Sequence, residues 1–155
     1  MVDKTIRFGV EAGDLSRIRA LIDKGNKDDI NAAREELDIV KKKNKEAEEA
    51  ERDFHRRRRQ SIETQKAELE LWRYKRQEEA SRIGRQDVPQ FNRETRRQEA
   101  KRRRDIAQDK IDFINEKKDF EEQRRNSKKQ IQKLDELVDT SKQKKNKSRQ
   151  SKKMF

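Results

Sequence analysis

Between Asp29 and Ile83 the apolar residues recur at alternating steps of three and four: Ile30, Ala33, Leu37, Val40, then Ala47 and Phe54. After Phe54 the phase slips by one extra step of four and resumes as Ile62, Leu69, Trp72, Ala80 and Ile83. Such steps line up on one stripe of an α-helix, and an inserted step of four is the stutter of a heptad seam. Neither Gly nor Pro interrupts the stretch. The pattern therefore predicts one continuous helix, roughly 80 Å long at about 1.5 Å per residue. Asp28 or Asp29 is placed to cap it, and Asp38–Lys42, Glu48–Arg52 and Asp53–Arg57 are acid-before-base pairs at i, i+4 on its surface.

Gly84 and Pro89 bracket the next break; the first suits the residue after a helix end and the second the opening turn of another. A second long helix is expected from about Gln90 to Asp139. Its stripe is thinner: Ala100, Ile106 or Ala107, Phe113 or Ile114, Phe120, Ile131, Leu134 and Val138, with Lys117 and Arg124 in the same seam. Two helices of similar length joined by a short loop are usually antiparallel neighbours. Folding the chain back with paired residue numbers summing to about 174 sets Val40 opposite Leu134, Leu37 opposite Leu137 and Phe54 opposite Phe120. It also sets Trp72 over Arg102, a cation–π geometry. The expected fold is all-α, with long charged helices forming a coiled-coil hairpin. The competing arrangement is an extended rod in a parallel oligomer.

Ahead of the long helices, Thr5 to Val10 alternates, with Ile6, Phe8 and Val10 on one face of a short strand. Asp14 is placed to cap a small helix carrying Leu15, Ile18, Leu21 and Ile22 on one side, which Gly25 ends as a left-handed cap. At the other end, residues 141–155 hold seven Lys or Arg and no acid, a low-complexity basic tail expected to be flexible in isolation. The organisation so read is a strand with a small partner-docking helix over 1–27, long helix one over 28–84, a loop at 85–90, long helix two over 91–140, and the tail at 141–155.

Composition narrows the class. Hydrophobic residues make up 28% and charged residues 49% of the 155. So thin an apolar supply builds a seam between helices and no wide core. Such a chain leans on protein partners or on self-association within a larger assembly. No window approaches the roughly 18 apolar residues of a membrane span, and the first residues lack the apolar centre of a secretory signal. An intracellular or virion-associated protein is expected. The absence of Cys removes disulfides and thiolate chemistry.

Catalytic chemistry is not legible. His55 is the single histidine and stands beside Arg56, Arg57, Arg58 and Arg59, which repel a metal cation, so a solvated helix position is expected for it. The four glycines are scattered and form no phosphate loop. Acidic pairs such as Glu35–Glu36 and Glu121–Glu122 have basic neighbours and no apolar surroundings to raise a carboxyl toward catalytic use. No enzyme activity, cofactor or metal is expected. Two sets of residues carry the remaining signal. The first is a seam for a partner helix, formed by Leu37, Val40, Phe54, Ile62, Leu69, Trp72, Phe113, Phe120, Ile131, Leu134 and Val138. The second is basic. The net charge is +12, and Arg56–Arg59, then Lys101, Arg102, Arg103 and Arg104, then Lys144, Lys145, Lys152 and Lys153 are candidates for non-specific contact with nucleic acid or another polyanion. Trp72 and Tyr74 are not arrayed among them as a stacking platform would require.

The opening KTIRFGVEAGDLSRIRALIDKG, followed by INAAREELDIVKKKNKEAEEAER, resembles the N-terminal region of phage tail tape-measure proteins, which begin with a short strand and small helix before long charged coiled coil. That resemblance implies a helical rod inside a tail tube that sets the tube's length. The central GRQDVPQ break and the late QKLDELVD are similar to the stalk proteins of flagellar and type III secretion ATPases, helical hairpins inserted into an ATPase ring.

Overall fold

The structure, a computed structural model, describes residues 6–154, the side chain of Ala12 excepted. It is all-α: α1 spans Ala12–Lys24, α2 Lys27–Arg82 and α3 Val88–Lys153. None of the described helices is long and apolar enough to cross a membrane.

The helix ends follow from local chemistry. Glu11 stands in extended conformation before α1 without a side-chain capping bond, so Asp14 lies inside the first turn and is not the cap. Gly25 closes α1 at φ 70°, its N–H donating to the Ile22 carbonyl at 3.1 Å. Only glycine takes that left-handed turn without steric penalty. The carbonyl of Asn26 accepts the first bond of α2, from the Ile30 N–H at 3.0 Å. Asp28 and Asp29 thus sit in the first turn, where they complement the helix dipole without capping it. At the loop, the Asp87 N–H donates to Gly84 O and the Phe91 N–H to Asp87 O, both at 3.0 Å. Pro89 falls in the opening turn of α3, where its missing N–H leaves no helical bond unmade. α3 does not stop near Asp139; it continues through the basic tail to Lys153. Nothing there breaks a helix, since Pro89 is the last Pro or Gly in the chain and Lys, Arg and Gln are good helix formers.

The expected N-terminal strand is absent over residues 6–10, and Thr5 lies outside the described residues. A single strand has no ladder to join, and here the segment docks on α2 instead. The Gly9 N–H donates to Asn44 Oδ1 at 3.3 Å, the Val10 N–H turns back to Phe8 O at 3.0 Å, and Phe8 is buried. The Phe8 ring meets that of Phe120 edge-on, with centroids 6.4 Å apart.

The chain divides into two compact units. One holds residues up to Arg52 and from Phe120 onward, the other Asp53–Asp119. The core of the first is a three-helix cluster of Ile18 and Ile22 from α1, Ile30, Ala33, Leu37 and Val40 from α2, and Leu134 and Val138 from α3. Leu37 therefore packs with Leu134 and Val138, while Leu137, its expected partner, is 41% exposed. Across this unit Lys41 pairs with Asp135 at 2.7 Å, Glu48 with Lys128 at 3.2 Å and Glu51 with Arg124 at 3.1 Å. In the second unit Ile62, Leu69 and Ile106 are buried. Arg58 pairs with Glu116 at 3.4 Å, Gln65 bonds Asp109 at 2.7 Å and Arg73 pairs with Glu99 at 2.8 Å. Within each unit the partner numbers fall on α3 as they rise on α2, so the two segments run antiparallel. Two of the i, i+4 pairs expected along α2 are displaced: Glu48 reaches across to Lys128, and Asp53 pairs with Arg56.

Gly9 approaches the backbone of α2 closely. A Cβ there would stand 2.6 Å from the Val40 carbonyl oxygen and 2.7 Å from the Asn44 amide nitrogen, both backbone atoms of α2. Backbone cannot swing aside as a side-chain tip can. Gly9→Ala should lower stability by about 1–3 kcal/mol, read as a lower urea midpoint by circular dichroism, and an unchanged midpoint would mean that the segment is not seated on α2.

Candidate functional site

Leu37, Val40, Ile62, Leu69, Leu134 and Val138 are buried, while Phe54, Trp72, Phe113, Phe120 and Ile131 are half-buried. Of the alternatives on α3, Ile106 and Phe113 turn inward, whereas Ile111 and Ile114 are 52% and 51% exposed. The seam drawn for a partner helix is thus closed inside this chain in each unit. Among the described residues the large apolar side chains left outward are others: Ile39, Leu71, Tyr74, Ile111, Ile114, Leu137 and Met154.

Among the described residues, four buried positions are polar. Asn44, Glu51 and His55 on α2 and Ser127 on α3 are as buried as the apolar residues around them. They locate the stutter. From Ala47 the inward positions are Glu51, His55, Arg58 and Ile62, so the extra step of four falls at Glu51–His55, before the place where the apolar pattern alone puts it. α3 makes its own double step of four at Glu116, Phe120 and Arg124.

His55, expected in solvent, is only 6% exposed. Its ring meets Phe113 edge-on at 5.5 Å and Phe54 at 5.8 Å. The stutter turns it inward, which the neighbouring arginines concealed. Glu51 keeps 3% of its side-chain surface, and the Arg124 guanidinium donates to its Oε2 at 3.1 Å. Arg124 therefore does not dilute the seam; it supplies the countercharge for a carboxylate that the seam encloses. Lys117 points to solvent.

The basic clusters are less free than their sequence suggests. Arg58 donates through Nε and Nη2 to the two Glu116 oxygens, each at 3.4 Å. Arg56 pairs with Asp53 at 2.9 Å, and Arg103 with Glu99 at 2.8 Å. The Arg102 guanidinium lies over the Trp72 ring, 5.0 Å from its centroid, as the fold-back register anticipates. Arg76 is shared between the same ring at 5.8 Å and that of Phe91 at 4.7 Å. Arg57, Arg59, Lys101, Arg104, Lys144, Lys152 and Lys153 are exposed, and Lys145 is half-buried.

Comparison with models of protein families, with curated proteins and with solved structures gives no match to this chain.

Breaking a buried ion pair from one side leaves an uncompensated charge, whereas replacing both partners by apolar groups removes the penalty. Arg124→Met should destabilise by about 3 kcal/mol, and adding Glu51→Met should recover most of the loss. Chemical denaturation of the wild type, both single variants and the double variant checks this. A double variant no better than Arg124→Met would show that Glu51 does not need the guanidinium.

Proposed function

We propose that this chain is a non-enzymatic structural component of a larger assembly, a coiled-coil hairpin of the tape-measure type that its opening residues resemble. The observation that supports this reading is the use of the two long helices. α2 and α3 run for 56 and 66 residues, and in each unit their inward positions are taken up by pairing with one another. What the pairing leaves outward is a charged surface carrying isolated apolar residues, of the kind that lies along neighbours in an assembly. Leu71 and Tyr74 on α2, and Ile111 and Ile114 on α3, stand at i, i+3 and so share a helix face, a suitable footing for a protein partner or a second copy.

The test is topological. Two double-cysteine variants, Lys41→Cys with Asp135→Cys and Gln65→Cys with Asp109→Cys, are treated with a short bis-maleimide. Crosslinks within one chain, at monomer mass on a denaturing gel, are expected for both pairs. Crosslinks found only between chains would mean that the helices pair between molecules and that the hairpin is wrong.

A further inference from the structure

In the unit that contains α1, the start of α2 and the last turns of α3 enclose a cleft of about 230 Å³. Lys27 and Asn31 line it from α2, and Lys142, Lys145, Asn146 and Arg149 from α3. The spacing is helical on both sides, i and i+4 on α2 and i, i+3, i+4, i+7 on α3, so each set occupies one face. Ile30, 3% exposed, forms the apolar floor. No carboxylate lines the cleft. This distinguishes it from the arginine clusters, where Asp53, Glu99 and Glu116 answer the positive charge. Lys142 and Lys145 are moreover half-buried, which limits how far these two side chains can swing away from the cleft.

We infer that this cleft is a binding site for the phosphate groups of a phosphate chain, the chemistry shared by a nucleic-acid backbone and inorganic polyphosphate. Four cations and two side-chain amides approach one small volume from two helices. A tetrahedral phosphate offers acceptor oxygens on several sides and can meet donors from both walls, while a carboxylate presents its two oxygens in one plane. Arg149 supplies the fork that grips two oxygens together, and the lysines supply point charge. At 230 Å³ the cleft falls below the roughly 300–1,000 Å³ of sites that enclose whole small molecules, a fit for one or two phosphates of a chain that continues outside. Along α3, Lys144, Lys147, Lys152 and Lys153 are exposed and extend positive charge beyond it. The site reads shape and charge and carries no base specificity.

Binding to the full chain is measured by fluorescence anisotropy against three probes: a duplex oligodeoxynucleotide, inorganic polyphosphate and poly-glutamate. The variant Lys27→Gln with Lys145→Gln removes two cleft cations. Lys101→Gln with Arg104→Gln removes the same charge from exposed positions elsewhere, and Lys142→Gln with Arg149→Gln repeats the cleft test at other residues. Unchanged circular dichroism certifies each fold. The phosphate probes should bind, with both cleft variants about tenfold weaker or more and with a salt slope lower by about 2, while the control changes little. Which of the two phosphate probes binds more tightly identifies the source of the phosphate. Equal losses in the cleft and control variants, or poly-glutamate bound as tightly as the phosphate probes, would reduce the site to diffuse attraction and overturn the inference, as would no binding at all. None of these outcomes bears on the hairpin, which the crosslinks test separately.

Discussion

A seam one side chain deep is the constraint under which this molecule is built. With so few apolar residues, the inward row of each long helix has no second layer behind it, and every position in that row must be filled or answered. Where Leu37, Val40, Leu134 and Val138 fill it, burial of apolar surface supplies the stability. Where Glu51 interrupts it, Arg124 supplies the missing countercharge. The thinness also explains why the first unit recruits α1: Ile18 and Ile22 give the row a third wall. Phe8 and Gly9, seated on α2, serve the same end.

Charge is distributed by the same logic. Flanking residues on facing helices are opposite in sign, as at Lys41–Asp135, Glu48–Lys128 and Arg73–Glu99. Exposed pairs of this kind contribute little individually, but they reward one alignment over its neighbours. Glu99 serves two arginines at once, Arg73 across the unit and Arg103 on its own helix, each at 2.8 Å. Aromatic faces take up further guanidinium charge at Trp72 and Phe91. Part of the positive charge is thereby drawn into packing, while Arg57, Arg59, Lys101 and Arg104 stay exposed and the cleft near the start of α2 gathers four cations with no carboxylate in its lining.

The helical class was legible because long runs without Gly or Pro, marked at three- and four-residue steps, admit few other readings. Trp72 over Arg102 was legible for the same reason, since a register set by periodicity carries its polar neighbours along. The seam itself was only partly visible. A search for apolar residues passes over Asn44, Glu51 and His55, and so misplaces the stutter and leaves His55 in solvent. The stripe on α3 already carries Val138, yet the fold-back register sets Leu137 opposite Leu37, because such a register is good only to about a residue and one residue turns a helical side chain by roughly 100°. The strand failed because alternation over six residues cannot tell a ladder from a segment whose polar groups are answered by a side chain such as Asn44. The cleft was hidden in the tail. Lys142, Lys145 and Arg149 read as low complexity until a helix gathers them on one face, and Lys27 and Asn31 approach that face only in three dimensions.

The buried carboxylate has a consequence for how copies of this chain can meet. In a parallel, in-register pair of identical helices every residue confronts itself. Glu51 would then be enclosed against Glu51, and Arg124 would face Arg124, two like-charge contacts that a dry seam tolerates poorly. In the antiparallel arrangement the same two residues neutralise each other. One acidic side chain on α2 thus discriminates between topologies that the apolar rows alone would accept, and it disfavours any pairing of two copies that would set this stretch of seam against itself.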